Sequence, residues 1–582
     1  MGEPQIGASC DDGNVASTGD VIQADCGCAG LFSCPTGTTV TVTTANDSGG
    51  GSLREAINCA NADPGLDTII FNIPGAGPHL ISLENLLPTI TDDGIVIDGT
   101  TQPGNFPMAG LIRIYPGNYD WSGLTIAGDN CAVYGLDISG ADNGILAEEV
   151  NGLTVGSLQK GNLFHDLDRS GVSLDTSYVV DIRENIFGTD LSGSEIEGHA
   201  TGQFVAEDYA FDNISIFGGA SINISNNLIS NSERGSGIWA EATDDLDIIN
   251  NRIGTSLDGT MDFGNGRMGI ELIDCSSVLI QTNLISGNAE AGISLTNVPS
   301  FNIISNYIGT DSAGDGALPN GGHGAIDLAS CTSGTIYNNL ISGNETDGIE
   351  VGDNSTSITI QDNYIGLALD GVSPLGNTGN GIILAGSSII LIRDNFVAHN
   401  QGGGIYFWDD PISVGVTILG NSIYCNNSQL NGIFLNAPAN NNQGIWAPII
   451  YDAQSSVISG EAVPNSTVEV YRTTDCLSAG PDGQTYLGTT IAGGDGLWTL
   501  NAPFTVVLST GDRVTVTATD LTLGNTSEFS AYADVDTTCP FVFGQISSDA
   551  GCGGWWDLTQ YESFIIGGQQ DVIGVNWYED EA

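Results

Sequence analysis

One tripeptide, Asn-x-Ile or a close relative, recurs through residues 227–423 and constrains the fold more than any other feature. Successive copies are separated by 24, 32, 23, 33, 24, 32 and 26 residues. Because short and long steps alternate, the true repeat is about 56 residues and contains two sub-repeats. Self-similarity at such a period is typical of a solenoid. The copies begin at Asn227, Asn251, Asn283, Asn306, Asn339, Asn363, Asn395 and Asn421.

The residues around each Asn indicate the type of solenoid. Aliphatic residues stand five and three positions before it and two after it, as Ile358, Ile360 and Ile365 do around Asn363. This period-two alternation predicts strands, and a later strand follows a Gly, as in residues 348–351 (GIEV). Short strands without a helical pattern predict the coils of a parallel β-helix, with Ile and Leu stacked inside. The Asn is predicted at a corner, with a left-handed backbone and a side-chain ladder.

Each long step carries a Gly-rich, Asp-bearing insertion of 16 residues. The three copies run from 254 to 269, from 309 to 324 and from 366 to 381, and an earlier relative begins at Gly188. Repeated insertions in a solenoid project from one face. The sequence therefore predicts a row of loops along one side of the β-helix.

The charge balance narrows the possible partners. Eleven basic residues oppose 70 acidic ones, giving a formal net charge of −59, and Lys160 is the only lysine. Such a chain is not expected to bind nucleic acid or anionic membranes. The charge suits solubility in high salt or the attraction of divalent cations, and the alternative is that it serves solubility alone. The sequence contains no run of about 18 apolar residues, so no membrane-spanning helix is predicted.

Cysteine usage favours an extracellular location. The chain has 12 Cys and no zinc-type CxxC pair, which indicates an oxidising compartment. The start, MGEPQIG, lacks the basic and apolar regions of a signal peptide, so we expect a mature segment with a new Met. Four Cys within the predicted coils are expected to be unbonded core residues: Cys131, Cys275, Cys331 and Cys425.

Residues 1–38 form a small Cys-rich module. Its four Cys allow three disulfide pairings, among which the sequence does not choose. The stretch resembles a short CDDG…T…D…CxCxG module of bacterial surface proteins. Asp11, Asp12, Asn14 and Asp20 supply oxygen atoms suited to calcium, the one cofactor that the sequence suggests. The alternative is that these residues form Asx turns in a disulfide-bonded knot.

Residues 39–104 are predicted to form an N-terminal cap. Ser52 and Glu55 have capping-box spacing, so a short amphipathic helix begins here, and its apolar face can cover the open end of the first coil. The stretch resembles the CSLREA domain of secreted right-handed β-helix proteins through SLREAI, DTIIF at 67–71 and IDGTTQPG at 97–104, with Gly51 in place of the name-giving Cys. This resemblance continues through the repeats to about residue 440. It implies a right-handed β-helix and a bacterial surface or secreted protein, and it assigns no activity.

The remaining chain divides into three parts. Residues 105–440 are predicted to be the parallel β-helix itself. Residues 441–536 show short alternating strands separated by turns, which predict a β-sandwich and resemble an Ig-like module. Residues 537–582 are interpreted as a fragment of a further module, so we expect the intact protein to continue. The predicted fold class is therefore all-β: a right-handed parallel β-helix with a short capping helix, a Cys-rich leader and a C-terminal β-sandwich.

The strand after each Gly supplies the candidate site, because the residue after Gly-Ile should point outward. Asp327 and Glu350 fall on successive coils, about 4.8 Å apart, and Glu271 lies two coils before Asp327. Aromatic residues flank these acids, and Trp408 follows closely. The predicted outward residues, in order, are Ser173, Trp239, Glu271, Ser294, Asp327, Glu350, Ile383, Tyr406 and Phe434.

Three interpretations of this face stay open. Carboxylates between aromatic rings suit glycan binding, with Trp239, Glu271, Asp327, Glu350, Tyr406 and Trp408 as candidate contacts, directly or through calcium. Glu271, Asp327 and Glu350 are also candidate catalytic residues, because paired carboxylates can hydrolyse glycosidic bonds. The third interpretation is an outward strand face of mixed composition with no binding role.

The sequence lacks key motifs of two enzyme families that share the predicted fold. Residues 322–324 (GHG) resemble a motif of polygalacturonases, but the basic RIK-type motif of that family is absent. Sister loops carry Arg267 and Thr378 near the position of His323, so His323 is interpreted as loop variation. Polysaccharide lyases usually need Lys or Arg near the uronate, and the repeats contain no clear arginine cluster. Both enzyme classes are weakened by these observations.

The sequence therefore favours a secreted or cell-surface, adhesin-like scaffold that binds glycan or matrix components. The first alternative is a polysaccharide lyase or glycoside hydrolase that acts on the β-helix face. The second is a structural subunit of a surface fibre or layer, which would self-associate. Between the two, the sequence favours a scaffold over an enzyme.

Overall fold

A computed structural model describes most of the chain. The described residues are 17–22, 28–32, 34, 39–63, 65, 67–104, 111–118, 120–196, 211–426, 431–436, 441–473, 476 and 480–536. The predicted module at 537–582 and the candidate calcium ligands Asp11, Asp12 and Asn14 lie outside these ranges, as does the side chain of Asp20. Within the leader, Ser17–Ile22 and Cys28–Phe32 pair as antiparallel strands.

Three long parallel sheets wind into a right-handed β-helix, as the sequence predicts. In the described residues the sheets contain 14, 13 and 12 strands, and from Val96–Asp98 onward each coil visits them in the order sheet 1, sheet 2, sheet 3. The strands of sheet 1 precede the repeated Asn. They are Thr39–Val42, Thr68–Phe71, Val96–Asp98, Ala132–Tyr134, Thr154–Val155, Tyr178–Arg183, Ala220–Ser225, Asp244–Ile249, Ser276–Gln281, Phe301–Ile304, Gly334–Tyr337, Thr356–Gln361, Ser388–Arg393 and Val414–Leu419.

Sheets 2 and 3 follow the repeated Asn. Sheet 2 contains the strands His79–Ser82, Ile112–Tyr115, Leu136–Ser139, Leu163–His165, Ile186–Phe187, Leu228–Ile229, Arg252–Ile253, Leu284–Ile285, Tyr307–Ile308, Leu340–Ile341, Tyr364–Ile365, Phe396–Ala398 and Ser422–Tyr424. Sheet 3 contains Leu124–Ile126, Ile145–Glu148, Val172–Asp175, Ile214–Phe217, Ile238–Glu241, Ile270–Ile273, Ile293–Thr296, Gly324–Ala329, Asp347–Gly352, Ile382–Leu384, Ile405–Phe407 and Ile433–Leu435.

Stacked aliphatic side chains form the core of the β-helix. In sheet 1, for example, Ile280, Ile303, Ile336 and Ile360 occupy one register position on four successive coils. Each is at most 1% exposed. Full burial of one such side chain contributes roughly 1.5–3 kcal/mol, so the stack is the main source of stability.

The repeated asparagines form a continuous hydrogen-bonded ladder. Asn283 shows the pattern, because its Nδ2 donates to Oδ1 of Asn306 at 3.0 Å and to the carbonyl oxygen of Ile248 at 2.8 Å. Oδ1 of Asn283 in turn accepts from the backbone N–H of Asn251 at 2.8 Å. Every amide is thereby satisfied inside a buried corner, where an unpaired polar group would cost about 1–3 kcal/mol. The predicted ladder is confirmed.

The predicted left-handed backbone lies one residue earlier than expected. Residues that precede the ladder asparagines have positive φ, for example Asn250 at 56°, Thr282 at 54° and Ser305 at 56°, whereas the ladder asparagines do not. The prediction was wrong because the left-handed residue bends the chain, and the next residue can then turn its side chain into the coil.

A second ladder, absent from the sequence-based interpretation, runs parallel to the first. Its amides are linked in the same way, as when Nδ2 of Asn288 donates to Oδ1 of Asn320 at 2.9 Å. On coils without an insertion, a member of the second ladder stands five residues after the Asn of the first ladder. On coils with an insertion, it stands inside the insertion. The second ladder therefore has no constant spacing in the sequence. Its members are Asn213, Asn265, Asn288, Asn320, Asn344, Asn377, Asn400 and Asn426.

The insertions form the predicted row of loops. Each begins with a tight hairpin, closed by bridges such as Thr255 to Asp262 and Thr310 to Ala317. Hairpins two coils apart contact each other, since the N–H of Ser312 donates to the carbonyl oxygen of Gly259 at 2.9 Å and that of Leu369 to Gly314 at 2.9 Å.

A helix and a disulfide cover the N-terminal end. Helix α1, Leu53–Ala62, begins at Ser52, whose hydroxyl accepts from the N–H of Glu55 at 3.3 Å. Its buried face joins the core of the β-helix, as predicted. Cys59 of this helix is bonded to Cys34. The pairings considered from the sequence joined leader cysteines only to one another, so they missed this bond from the leader to the cap.

The C-terminal end is covered by a β-sandwich. One of its sheets contains Ile449–Ala453, Val457–Glu461 and Leu497–Asn501. The other contains Thr467–Thr473, Thr485–Ile491, Arg513–Asp520 and Asn525–Thr526, with Ala533–Asp534 paired to the third of these. Gly99–Thr101 form a short 3₁₀ turn, and Asn441–Gly444 form a turn in which Asn442 and Gln443 have positive φ, 47° and 55°. In the described part of the chain, no helix has the length and apolar character needed to cross a membrane.

The sandwich is joined to the last coil by hydrogen bonds, packing and a disulfide. Ile423 and Gly483 exchange two backbone hydrogen bonds at 2.9 Å, and Tyr471 and Phe529 join the β-helix core. Cys425 is bonded to Cys476. The expectation that Cys425 is an unbonded core residue was therefore wrong, because the docked sandwich brings a second Cys to the last coil. Cys131, Cys275 and Cys331 are buried free thiols, as predicted.

Candidate functional site

The predicted outward column of sheet 3 exists in the structure. Parallel pairing places Trp239, Glu271, Ser294, Asp327 and Glu350 at one register position on successive strands. The column continues through Ile383, Tyr406 and Phe434. Ser215, which does not follow a Gly-Ile pair in the sequence, also belongs to the column and occupies the strand between Ser173 and Trp239.

A neighbouring column explains where a depression forms on this face. The residues two positions later on each strand also point outward, because strand side chains alternate. Here they include Ala329 and Gly352, which are paired on successive strands, whereas Trp408 stands further along. Small residues beside Asp327 and Glu350 leave space above the sheet, and Trp408 closes one side of it.

The resulting groove, called here the acidic groove, has a volume of about 520 Å³. Glu350, Ile383 and Ala385 form its floor, and Trp408 and Asp410 lie on one wall. The opposite wall is built by the turns that lead into the strands of sheet 3. It contains His323, Thr346, Asp347, Thr378 and Gly379.

Three carboxyl groups in or beside the groove have raised pKa values. Burial raises the pKa of Glu350 to about 7, with further increases from the charges of Asp327 and Asp347 and a smaller opposing effect of His323. Burial also raises the pKa of Asp327, against the effect of His323. The pKa of Asp347 is raised by burial despite hydrogen bonds from Asn380, whose Nδ2 donates at 2.8 Å. Glu350 can therefore exchange a proton near neutral pH, as a general acid or base requires.

The aromatic end of the groove is preorganised. Tyr406 and Phe434 are stacked with ring centroids 5.4 Å apart, and Trp408 packs edge-on against Tyr406 at 6.0 Å. Nδ2 of Asn436 donates to the hydroxyl oxygen of Tyr406 at 3.0 Å. Trp408 remains 46% exposed, so one face of its ring is available to a ligand.

Glu271 belongs to a different environment, the arginine-paired cluster of Asp212, Ser236, Arg267 and Glu271. Arg267 contacts both carboxylate oxygens of Glu271, at 3.1 and 3.2 Å, and the hydroxyl of Ser236 donates to Glu271 at 3.0 Å. Burial raises the pKa of Asp212 well above its usual value, with Glu271 adding to the increase. Glu271 is 9% exposed and does not face the acidic groove.

Trp239 differs from the expectation of an exposed ring. Its side chain is only 8% exposed, so in this structure it offers no platform for a sugar. Of the six residues predicted to contact glycan, Glu350 and Trp408 line the acidic groove, and Asp327 and Tyr406 adjoin them. Glu271 and Trp239 stand apart from this site.

His323, Thr346, Asp347 and Asp410 were missed as groove residues in the sequence. A signal for two of them was present, because the residue four positions before an outward acid lies beside it. Arg267 stands four residues before Glu271 and pairs with it, His323 stands four before Asp327, and Thr346 stands four before Glu350.

Comparisons with known proteins agree with this fold. A family model described as a right-handed beta helix region matches residues 262–373. No curated protein shows significant similarity to the chain. Solved structures with similarity include the A-module of mannuronan C-5 epimerase AlgE4 from Azotobacter vinelandii, with 15% identity, 68% of this chain and 90% of that chain covered and a TM-score of 0.33.

Two further solved structures belong to the same group. The periplasmic alginate epimerase AlgG is 15% identical over 64% of this chain and 75% of its own, with a TM-score of 0.37. The Dettilon tailspike protein is 13% identical over 84% of this chain and 93% of its own, with a TM-score of 0.36. At these identities the likeness concerns the fold alone and carries no argument about activity.

Proposed function

We propose that this protein is a secreted or cell-surface scaffold that binds a glycan in the acidic groove. The observation that carries the proposal is that one groove combines the exposed face of Trp408 with the carboxyl groups of Glu350, Asp347 and Asp410. Sugar rings present apolar faces that stack on aromatic rings, and their hydroxyls donate hydrogen bonds to carboxylates. A concave site with few polar groups around an aromatic platform suits such a ligand.

The two disulfides support the extracellular location in this proposal. Both ends of the β-helix are joined to their caps by disulfides, Cys34–Cys59 and Cys425–Cys476. Disulfides persist in oxidising compartments and are rare in the cytosol. Extracellular polysaccharides or surface glycans are accordingly the partners that we propose.

The test compares two tryptophans in a binding assay with a panel of neutral, acidic and amine-bearing oligosaccharides. Trp408→Ala should weaken binding of the preferred oligosaccharide about tenfold or more, since loss of a stacked aromatic costs of the order of 1.4 kcal/mol. Trp446→Ala is the matched control, because Trp446 is 42% exposed but lies outside the groove. Equal affinity for both variants and the unsubstituted protein would refute the groove as the binding site.

Glycoside hydrolysis is the second candidate function, favoured by one specific observation. Glu350, with its pKa raised to about 7, stands next to Asp327 on the adjacent strand. Retaining glycosidases likewise pair a carboxylic acid that is partly protonated at neutral pH with a second carboxyl group, the two lying about 5 Å apart in those enzymes. A lyase mechanism is less suited, because no Lys or Arg is found among the described residues that line the groove.

The enzymatic proposal is tested by product release from neutral and acidic polysaccharides. New reducing ends that disappear in Glu350→Gln and Asp327→Asn would establish hydrolysis at this site. Products with ultraviolet absorbance from unsaturated ends would instead indicate elimination. Retained oligosaccharide binding without any product would leave the protein a binding scaffold.

Calcium is a separate proposal for the leader, motivated by Asp11, Asp12, Asn14 and Asp20. In the described ranges, no cluster of three or more His, Cys, Asp or Glu is arranged to hold a metal ion. A melting temperature that rises with calcium relative to a chelator would support the proposal. An unchanged melting temperature, together with no calcium retained after dialysis, would remove it.

A further inference from the structure

The acidic groove has an uneven charge balance for a glycan site. Four carboxyl groups line it, those of Glu345, Asp347, Glu350 and Asp410, and Asp327 adjoins Glu350. Among the described residues that line the groove, His323 is the only one with a basic side chain. Burial, and then the charges of Asp327 and Asp347, raise the pKa of Glu350, and no arginine among the described lining residues supplies the counter-charge that Arg267 gives to Glu271.

This imbalance selects against acidic sugars. A uronate or sulfated polymer would bring more negative charge to a carboxyl-lined groove on a protein with a formal charge of −59. Like charges brought together in a partly buried site cost several kcal/mol unless a cation lies between them. A ligand with its own positive charge would reverse the sign of this interaction.

We propose that the glycan bound in the acidic groove is amine-bearing, an oligomer or polymer of amino sugars with free ammonium groups. The inference rests on the proposed function and specifies its ligand class. An ammonium group offers three hydrogen-bond donors and one positive charge, which match the carboxyl groups of Glu350 and Asp347.

The layout of the groove supports an oligomer rather than a single amine. Carboxyl groups stand at both ends of the groove, with Glu350 at one end and Asp410 beside Trp408 at the other, and successive coils are about 4.8 Å apart, a spacing comparable to one sugar ring. Glu350 and the strand that leads to Trp408 are two coils apart, so a chain lying along the axis of the β-helix can place an ammonium group near Glu350 while the second ring along stacks on Trp408. In the described part of the structure, the hydroxyl oxygen of Thr346, also on the groove wall, is buried without a hydrogen-bond partner.

Binding of an ammonium group should be linked to proton release. Free Glu350 is largely protonated below its pKa of about 7, and a nearby cation favours the ionised form. Affinity for the amine-bearing ligand should therefore rise as pH increases from about 5 to 6.5, below the range in which sugar amines lose their own protons. The N-acetylated counterpart carries no charge, so its affinity should change much less over the same range.

The experiment measures binding of three tetrasaccharides by calorimetry at low and at 0.3 M salt (roughly a threefold change in Debye length from 0.03 M). The probes are a glucosamine oligomer, its fully N-acetylated counterpart and a uronate oligomer with and without calcium. We expect the glucosamine oligomer to bind at least tenfold more tightly than the N-acetylated one at 0.3 M salt. Glu350→Gln and Asp410→Asn should each reduce this preference, whereas Trp408→Ala should weaken both ligands.

The matched control is Glu148→Gln, which removes the same charge from the same sheet seven strands away. Equal loss of amine binding in Glu148→Gln and Glu350→Gln would show diffuse attraction to an acidic protein and overturn the proposal. Tighter binding of the N-acetylated or the calcium-bridged uronate oligomer would overturn it too, but would leave glycan binding intact. Binding of none of the oligomers would contradict the proposed function itself. Retained N-acetylated binding in Glu350→Gln shows that the variant is folded.

Discussion

Two regions of the same sheet face handle an outward carboxylate in opposite ways. In the arginine-paired cluster, Glu271 meets Arg267 four residues earlier and a hydroxyl from Ser236, and it is buried. In the acidic groove, the residues four positions before Asp327 and Glu350 are His323 and Thr346, so the carboxyl groups are left without a strong cation. The three acids occupy the same register position on their strands. The residue four positions earlier, in the preceding turn, determines whether the acid is paired and stabilises the coil or remains available to a ligand.

The largest effect should come from removing the cation of the cluster. Arg267→Met leaves Glu271 and Asp212 buried beside each other without a counter-charge, which should lower the free energy of unfolding by about 3 kcal/mol. Arg393→Met is the control, since Arg393 pairs with Asp394 at the surface and should lose at most about 0.5 kcal/mol. Chemical denaturation at pH 7 measures both, and equal losses would mean that the cluster is not a structural ion pair.

In the acidic groove, by contrast, removing a charged group should not lower the free energy of unfolding at high pH. Because the folded pKa of Glu350 is raised to about 7, the folded state binds its proton more tightly than the unfolded chain does. Stability should therefore fall as pH rises from about 4.5 to 7, by about 1–2 kcal/mol after allowance for solvent screening. Glu350→Gln should remove the contribution of Glu350 to this dependence, leaving that of Asp327, Asp347 and Asp212, and should match or exceed the unsubstituted protein at pH 8. Melting temperatures from pH 4 to 8 test it, and a variant less stable at pH 8 would contradict the comparison.

A smaller effect is expected on the titration midpoint of Glu350, and it should show how much of the raised pKa comes from the charge of Asp327 rather than from burial. Asp327→Asn removes one of the charges that raise the pKa of Glu350, so the midpoint of the Glu350 titration should move to lower pH. Glu271→Gln should leave that midpoint in place, because Glu271 lies two strands from Asp327 and is paired with Arg267. Carboxyl carbon NMR of selectively labelled protein follows the titration. Equal shifts in both variants would mean that the two regions are electrostatically connected.

The smallest effect should come from an acid that belongs to neither region. Glu148 is exposed on sheet 3, and Glu148→Gln should change the free energy of unfolding by less than about 0.5 kcal/mol at any pH between 4 and 8. Denaturation curves at the two extremes suffice. A larger change would show that the overall negative charge, rather than local pairing, governs how acids on this face behave.

Most of the architecture could be predicted from the period and the alternation. A step of 24 or 32 residues between Asn-x-Ile copies determines the coil, and alternation around Asn363 determines which side chains face inward. The same alternation gave the outward column with Glu350 in it. These features are local along the chain, so a single sequence contains them.

What could not be predicted depends on contacts between segments distant in sequence. The burial of Trp239, the entry of Asp410 into the groove and the bond between Cys425 and Cys476 each depend on another coil or another domain. His323 was set aside because its sister positions differ. In the structure, the change from Arg267 in one loop to His323 in its sister loop is what distinguishes the acidic groove from the arginine-paired cluster.

The row of hairpins has a consequence for how such a protein can change in length. Hairpins contact one another only across two coils, as Ser312 does with Gly259 and Leu369 with Gly314. Duplication or loss of one coil would place successive hairpins three coils or one coil apart and break their contact, whereas gain or loss of a whole two-coil unit preserves the spacing. The heritable unit of growth is therefore about 56 residues, and lineages of this protein should differ by even numbers of coils.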